Sequence, residues 1–185
     1  MTAEIPSEPE DPIERALASG DHRAAVTLCA RAHGAALGRL CMSFLGVQAE
    51  ADEALQETLL AAFDAMGQYR GEGSVRAWLF GIARRVCARR VETRARREHK
   101  LRLVHAEAPG AQGLDDALAA RRDAERVRHA LDQLKPSERD AVVLRYEREL
   151  SFREVATACG IDEAAARKRV GRALDRLRTL LGTES

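Results

Sequence analysis

Residues 151–178 carry a pattern that places basic side chains on the outer face of a capped helix. Ser151 is followed three positions later by Glu154, which is the spacing of a capping box at the start of a short helix. Gly160 interrupts that helix, and Asp162 supplies the N-cap of a second one. Two helices around a short glycine-containing turn form the helix-turn-helix arrangement, whose second helix enters a DNA groove. The pattern therefore predicts a DNA-binding element.

The apolar stripe of the second helix leaves basic residues on its other faces. At 100° per residue, the apolar side chains between Ala166 and Leu181 share one face. Lys168 and Arg172 point away from that face, and Arg167 lies on its flank. Side chains of this type reach phosphates and guanine edges. A solvated basic face is the alternative, and the paired caps and the turn favour DNA binding.

A second group of residues that could form a binding surface is acidic and lies in residues 49–65. Residues 49–65 contain five carboxylates and no base, and a helical stripe of Leu55, Leu59, Phe63 and Met66 is predicted to face the core. Glu53, Glu57 and Asp64 point away from this stripe with Leu60 among them, and Asp52 and Gln56 flank them. A leucine inside an exposed acidic face is typical of an interface with a basic protein. A solvated acidic face is the alternative.

A basic segment follows a glycine-bearing loop at residues 67–73. Residues 76–103 contain ten Arg or Lys and two Glu, and Tyr69 and Trp78 stand among the arginines. Aromatic rings interleaved with arginines can stack unpaired bases while the guanidinium groups hold phosphates. Trp78 also lies beside an apolar stripe, which favours a place in the core; the stripe comprises Val75, Leu79, Ile82 and Val86. The separation of acidic and basic surfaces predicts two different partners.

The elements that must position these residues are all helical. The chain has 185 residues, 32% charged and 4% aromatic, and a net charge of +1. Helical periodicity recurs along it, and no segment has the period of a strand. We predict an all-α fold of two small helical domains joined by a flexible linker. The predicted boundaries are a disordered acidic tail at 1–12, a first domain at 13–100, the linker at 101–117 and a second domain at 118–183.

Several function classes are disfavoured by the sequence. No nucleophile–base pair or metal-ligand constellation is visible, so we expect no catalytic residues, no metal site, no cofactor and no enzymatic activity. The four cysteines lack CxxC spacing and are expected to be buried, reduced thiols. Cys29 and His33 are four residues apart, but no second ligand pair accompanies them. Without a signal peptide or a membrane-spanning run, we expect a cytoplasmic protein with no membrane insertion of its own.

Four segments in the same order resemble bacterial extracytoplasmic-function (ECF) sigma factors of the sigma-70 family. Residues 51–57 resemble the family's AEDxxQE signature, and residues 69–79 resemble its YRGEGSFRAWL segment. Residues 131–139 resemble the opening of the family's second domain. Residues 152–156 and 166–173 resemble its helix-turn-helix. Together the matches span about residues 13 to 181, and four ordered signatures are far more specific than one.

The resemblance implies a role for each surface. The first domain would be sigma region 2 and the second sigma region 4, with core RNA polymerase (the β′ clamp helices and the β flap) and promoter DNA as partners. Residues expected to bind core polymerase are Asp52, Glu53, Gln56, Glu57 and Leu60. Residues expected to recognise and melt the −10 element are Tyr69, Arg70, Glu72, Ser74, Arg76, Arg84, Arg85, Arg89 and Arg90. Residues expected to read the −35 element are Arg153, Arg167, Lys168 and Arg172.

The sequence also departs from the family pattern. Arg85 stands where the family commonly has Asn, Arg89 where it has Asp, and Gly171 interrupts the recognition helix. Two added positive charges predict stronger non-specific DNA binding and an altered −10 base preference. The resemblance further implies an anti-sigma partner, and we expect a monomer when the protein is free. A stand-alone helix-turn-helix regulator that binds DNA without polymerase is the alternative, although no dimerisation seam supports it.

Overall fold

The computed structural model describes residues 11–71, 73–102 and 118–182, and all regular structure in these ranges is helical. The all-α prediction is therefore confirmed. A 3-10 turn at Met66–Gln68 follows the third helix, and a π-helical turn at Val143–Glu147 follows the sixth. The α-helices in chain order are α1 (Pro12–Ala18), α2 (His22–Leu45), α3 (Gln48–Ala65), α4 (Val75–Arg102), α5 (Leu118–Asp132), α6 (Pro136–Val142), α7 (Phe152–Cys159) and α8 (Glu163–Gly182).

The described residues form two compact units that divide at Val91 and Glu92, within α4. Two small helical domains were predicted, and this organisation is confirmed. The exact boundaries at 13–100, 101–117 and 118–183 stay predictions. Residues 1–10 of the predicted tail and 103–117 of the predicted linker lie outside the described residues.

The helices of the first unit begin and end where local chemistry dictates. The Asp11 carboxylate accepts a hydrogen bond from the Ile13 N–H at 2.8 Å, and the Asp21 carboxylate accepts one from the Ala24 N–H at 2.9 Å. These caps satisfy amide groups that have no partner within the helix. At the far end of α2, Gly46 adopts a φ of 73° and closes the helix. The chain then turns directly into α3.

The core of the first unit is formed by apolar residues of α2 and of the first half of α4. Leu37 and Leu40 of α2 and Leu79 and Phe80 of α4 are fully buried. The stripe predicted for α4 is confirmed, since Val75, Leu79, Ile82 and Val86 are all buried. Ala77, Ala83 and Cys87 are buried as well, so this part of α4 is enclosed on most sides.

The buried face of α3 differs from the predicted stripe. The fully buried residues of α3 are all small, namely Ala51, Ala54, Thr58 and Ala62. Leu55 and Leu59 are only half-buried, and Phe63, predicted to face the core, is 44% exposed. Small side chains let neighbouring helices approach closely, whereas a hydrophobic-periodicity argument gives weight to large ones. The placement of Phe63 in the core was therefore wrong.

The cysteines are free thiols, as predicted. Cys29, Cys41 and Cys87 are buried and Cys159 is half-buried. Burial, and then the charge of Asp11, raises the pKa of the Cys29 thiol to about 11. A side-chain hydrogen bond joins Cys41 of α2 to Cys87 of α4, and it lowers the pKa of Cys41 despite the burial.

The second unit contains the predicted helix-turn-helix. The Ser151 hydroxyl accepts from the Glu154 N–H at 3.2 Å, and the Glu154 carboxylate accepts from the Ser151 N–H at 2.9 Å. Gly160 ends α7 with a φ of 66°. The Asp162 carboxylate accepts from the Ala165 N–H at 2.7 Å and caps α8. The predicted capping box, turn and second cap are confirmed. The two helices pack against each other, and Val155 of α7 and Ala166 and Val170 of α8 are buried.

Two glycines of this unit should respond oppositely to alanine. Gly160 has a left-handed φ of 66°, and Gly160→Ala should destabilise the unit by about 1–2 kcal/mol because a β-carbon is strained there. A β-carbon at Gly171 would meet no atom within 4 Å, and Gly171→Ala should stabilise it by about 1 kcal/mol through helix propensity. Amide hydrogen exchange in α7 and α8 across a urea series measures both. Equal effects of the same sign would contradict this account of the turn.

Candidate protein and nucleic-acid interfaces

The outer face of α3 combines carboxylates with exposed apolar groups. Leu60 is 67% exposed, and Phe63 lies one turn further along the same helix. The Asp52 carboxylate accepts a hydrogen bond from the Gln48 amide at 2.8 Å, and Gln56 is exposed. Apolar side chains left in water within a charged rim mark a protein-binding surface.

The carboxylates of α3 lie against arginines of α4. Arg90 donates from Nη1 to Glu53 Oε2 at 2.9 Å and from Nε to Glu57 Oε2 at 3.1 Å. Arg89 also pairs with Glu57. The hydrogen bond to Glu53, with further support from Glu57, raises the pKa of Arg90 above its ordinary value. The acidic and basic surfaces that the sequence assigned to different partners therefore contact each other.

No local pattern signals these ion pairs. The paired residues are 32 to 37 positions apart along the chain, on helices that meet only in the fold. The family resemblance predicts DNA contacts for Arg89 and Arg90 and polymerase contacts for Glu53 and Glu57. Their predicted contacts with DNA and polymerase stay predictions, and the structure adds that each group has a partner within the same unit.

The loop before α4 is organised by an aromatic pair. The Tyr69 hydroxyl donates to the Gly73 carbonyl at 2.6 Å, and its ring lies 5.2 Å from that of Trp78, centroid to centroid. Burial, followed by the charges of Glu14 and Cys29, raises the pKa of Tyr69. Both aromatic residues are half-buried, so Trp78 belongs partly to the core and partly to the loop surface. Glu72 lies outside the described residues.

Backbone geometry and capping fix this loop to α4. Gly71 and Gly73 have φ values of 72° and 103°, which glycine adopts without strain. The Ser74 hydroxyl accepts from the Ala77 N–H at 3.2 Å, as the predicted cap requires. Arg70 and Ser74 are exposed.

Three further arginines of α4 lie between the loop and the Glu57 contacts. The Arg76 guanidinium lies 5.6 Å from the centroid of the Phe80 ring, at cation–π distance. Arg84 is half-buried. Partial burial, and then repulsion from Arg84, lowers the pKa of the neighbouring Arg85. Arg85 makes no hydrogen bond or ion pair with residues in the described part of the chain.

In the second unit, two guanidinium groups lie at cation–π distance from the ring of Phe152. The Arg167 Cζ lies 4.5 Å from the ring centroid of Phe152, and the Arg145 Cζ lies 4.9 Å from it. Arg145 also donates to the Leu150 carbonyl at 3.0 Å, and Arg167 pairs with Glu163 one turn back on α8. The orientation of Arg167 is therefore set by a ring and a carboxylate, neither of which sequence reasoning had assigned to the site.

The other basic residues of α8 differ in how they are held. Glu138, only 6% exposed, lies 3.7 Å from Arg172 Nε and 3.5 Å from Arg176 Nη1. Lys168 is exposed and has no ion pair among residues 118–182. Arg153, at the start of α7, is exposed too. The sequence does not predict the contact between Glu138 and Arg172, because the two residues are 34 positions apart along the chain.

No group of three or more His, Cys, Asp or Glu side chains in the described ranges is arranged to hold a metal ion. None of the helices described is both long and apolar enough to cross a membrane.

Comparison with known families matches both units. Residues 29–97 match the model of sigma-70 region 2, and residues 124–177 match that of sigma-70 region 4. RNA polymerase sigma factor CnrH of Cupriavidus metallidurans is 33% identical over 178 residues, covering 91% of this chain and 92% of its own. ECF RNA polymerase sigma factor SigC of Mycobacterium tuberculosis is 32% identical, covering 74% of this chain and 72% of its own.

Solved structures of similar proteins agree with this match. CnrH in complex with the cytosolic domain of CnrY superposes with a TM-score of 0.64 at 29% identity, covering 94% of this chain and 97% of that one. Sigma factor RpoE of Bartonella quintana, in complex with the anti-sigma factor NepR, gives 0.58 at 25% identity, covering 81% and 92%. The chain belongs to the sigma-70 family of RNA polymerase sigma factors, in its extracytoplasmic-function group. Membership favours a sigma factor over the stand-alone regulator.

Substitutions of two basic residues of α8 should differ in their effect on the stability of the second unit. Lys168→Ala should weaken DNA binding and leave thermal stability unchanged, because the side chain is exposed. Arg172→Ala should also lower stability, by up to about 1 kcal/mol, because buried Glu138 loses one of its two arginines. Binding to a library of promoter duplexes, with parallel thermal melts, measures both.

The way in which Lys168→Ala weakens DNA binding distinguishes a phosphate contact of Lys168 from a base contact. A phosphate contact weakens all sequences alike and reduces the salt slope by about 1. A base contact instead relaxes preference at one position, at a cost of about 1–3 kcal/mol. Unchanged binding by both variants would exclude docking of this face of α8 in the groove.

Proposed function

We propose that this chain binds core RNA polymerase and directs it to promoters, where it recognises and melts the −10 element and starts transcription. One observation carries the proposal. A unit with an exposed leucine in an acidic helix face and a basic helix is followed in the same chain by a capped helix-turn-helix. A protein-binding face in a separate unit is what a polymerase-bound factor requires in addition to a duplex-binding element.

Polymerase binding is assigned to the outer face of α3. Leu60 supplies the apolar anchor, and its carboxylate and amide neighbours supply the polar rim that a basic helix needs. The β′ clamp helices are the partner proposed for this face, and the β flap is the partner proposed for the second unit. The residues proposed for the face are Asp52, Glu53, Gln56, Glu57 and Leu60.

DNA contacts are divided between the two units. The Tyr69 loop and the first turns of α4 present aromatic rings, exposed backbone and arginines, which suit an unstacked base and its phosphates. We assign this surface to the −10 element. The arginines and the lysine at the start of α7 and along α8 suit a duplex groove, and we assign them to the −35 element.

Further properties follow from this assignment. We propose that the chain is an initiation factor without catalytic activity or cofactor, that it acts in the cytoplasm with polymerase, and that it is a monomer when free. CnrH and RpoE have been solved with CnrY and NepR respectively. By extension, we propose that a protein partner of the anti-sigma class holds this chain inactive.

Transcription by purified components tests the proposal directly. Core polymerase and the chain together should produce run-off transcripts from a promoter selected out of a genomic fragment library, whereas neither should do so alone. Specific DNA binding and gene repression by the chain alone, without transcription by added core polymerase, would favour the regulator.

Leu60 should be required for binding to core polymerase. Leu60→Ser removes an apolar group that is 67% exposed, so folding should be unaffected while core affinity falls about tenfold or more. Met42→Gln is the control, since Met42 is exposed on α2 at 38% and lies outside the proposed surface. Co-purification and fluorescence titration with core polymerase measure the difference. Equal core affinities for the two variants would remove Leu60 from the interface.

Arg85 should shift the −10 base preference. Its guanidinium only donates hydrogen bonds, whereas an amide both donates and accepts. Arg85→Asn should therefore change the favoured base, away from one rich in acceptors, with little loss of polymerase binding. Permanganate footprinting and abortive transcription on promoters varied across the −10 element measure this. An identical preference in both proteins would show that Arg85 meets only phosphate or solvent.

A further inference from the structure

The ion pairs between α3 and α4 involve the groups to which the proposed function assigns two different partners. Glu57 contacts both Arg89 and Arg90, and Arg90 makes a second contact with Glu53. A carboxylate that neutralises a guanidinium weakens the attraction of that guanidinium for a phosphate. The guanidinium likewise weakens the attraction of the carboxylate for a basic helix. Each proposed surface therefore screens the other.

The carboxylates and guanidinium groups of these ion pairs are exposed enough to bind other partners instead of each other. The Glu57 side chain is 34% exposed and the Arg90 side chain 27%, while Glu53 and Arg89 are 68% and 67% exposed. Ion pairs that remain in contact with water contribute only about 0–1 kcal/mol each. They are close enough to screen each other in the free protein and weak enough for a better-matched partner to displace.

We infer that Glu53 and Glu57 act as internal counter-ions for Arg89 and Arg90, so that polymerase binding to α3 releases both arginines to contact DNA phosphates. The inference rests on the proposed function and adds a link between its two surfaces. Thermodynamic reciprocity then requires that DNA binding to the arginines strengthen polymerase binding by the same factor. Removing the arginines should also strengthen polymerase binding, because the carboxylates lose the internal partners that compete with polymerase.

Binding of the full chain to a 30-base-pair duplex of arbitrary sequence tests the DNA side without polymerase. Phosphate contacts are independent of sequence, and each steepens the slope of log K against log salt by about 0.9. Glu57→Gln should tighten binding about fivefold at 100 mM salt and steepen the slope by about 1, since Arg89 loses the Glu57 carboxylate while Arg90 keeps its contact with Glu53.

Asp64→Asn is the matched control. Asp64 is an exposed carboxylate on the same helix, and no ion pair joins it to any residue in the described ranges. The substitution removes the same charge without freeing an arginine, so duplex affinity should change less than about twofold. Equal duplex affinities for Glu57→Gln and Asp64→Asn would overturn the inference.

A variant without the two arginines shows whether Glu57 affects DNA binding by screening them or by a structural effect on the unit. In Arg89→Gln/Arg90→Gln, adding Glu57→Gln should change duplex binding no more than Asp64→Asn does. A fivefold gain that persisted in this background would overturn the inference, because it could not come from released arginines. Circular dichroism tests whether the double variant is folded. If it is not, Arg89→Gln alone is used instead, because that side chain is two-thirds exposed and its loss should not disturb the fold.

Binding to core polymerase tests the other side of the proposed link. Arg89→Gln/Arg90→Gln should raise core affinity about threefold or more, because Glu53 and Glu57 lose their internal partners. No rise would overturn the inference. These failures differ from failure of the proposed function, in which the unmodified chain itself would neither bind core polymerase nor support transcription.

Discussion

The packing of the first half of α4 into the core of the first unit is the constraint on which the rest of that unit depends. Leu79, Phe80, Ala83 and Cys87 are completely buried there. Because so much of the helix surface is enclosed, polar side chains can leave it only at restricted positions. The loop before α4 is held at one end of this segment by Tyr69 and Trp78. At the other end, Arg89 and Arg90 emerge beside α3 and meet its carboxylates.

Arginines in both units are oriented by internal carboxylates and rings. Glu138 and Phe152 orient arginines of the second unit, whereas Glu57 in the first unit holds Arg89 and Arg90 and also competes with phosphates for them. A guanidinium is planar and carries five donors, so it can contact a carboxylate or a ring and still present donors to another group. Pre-orientation of this kind lowers the entropy that each side chain loses on binding. With a net charge of only +1, the protein attracts DNA through the local placement of its charges.

The helix-turn-helix depends on a different kind of constraint, which is local. Its two helices start at side-chain caps and are separated by a glycine in the left-handed region. Each of these devices acts within four residues of the chain, and each satisfies backbone groups that a helix end leaves without partners. The packing of α7 against α8 then only has to fix the angle between helices whose ends are already defined.

That locality decides what could be predicted from the sequence. The all-α class, the capping box, the Asp162 cap, the glycine turn and the buried stripe of α4 all follow from spacings of two to four residues along the chain. The family resemblance likewise followed from ordered local motifs. Residue type and spacing are sufficient for such features because their physical causes lie within one turn of helix.

Only the tertiary structure decided which helices would meet, and with which faces. Ala51, Ala54, Thr58 and Ala62 line the contact face of α3 because close helix packing selects small side chains, which hydrophobic periodicity undervalues. The pairing of Glu57 with Arg90, like that of Glu138 with Arg172, joins residues more than thirty positions apart. No local spacing encodes such contacts, because they arise only when the burial of apolar faces brings separate helices together.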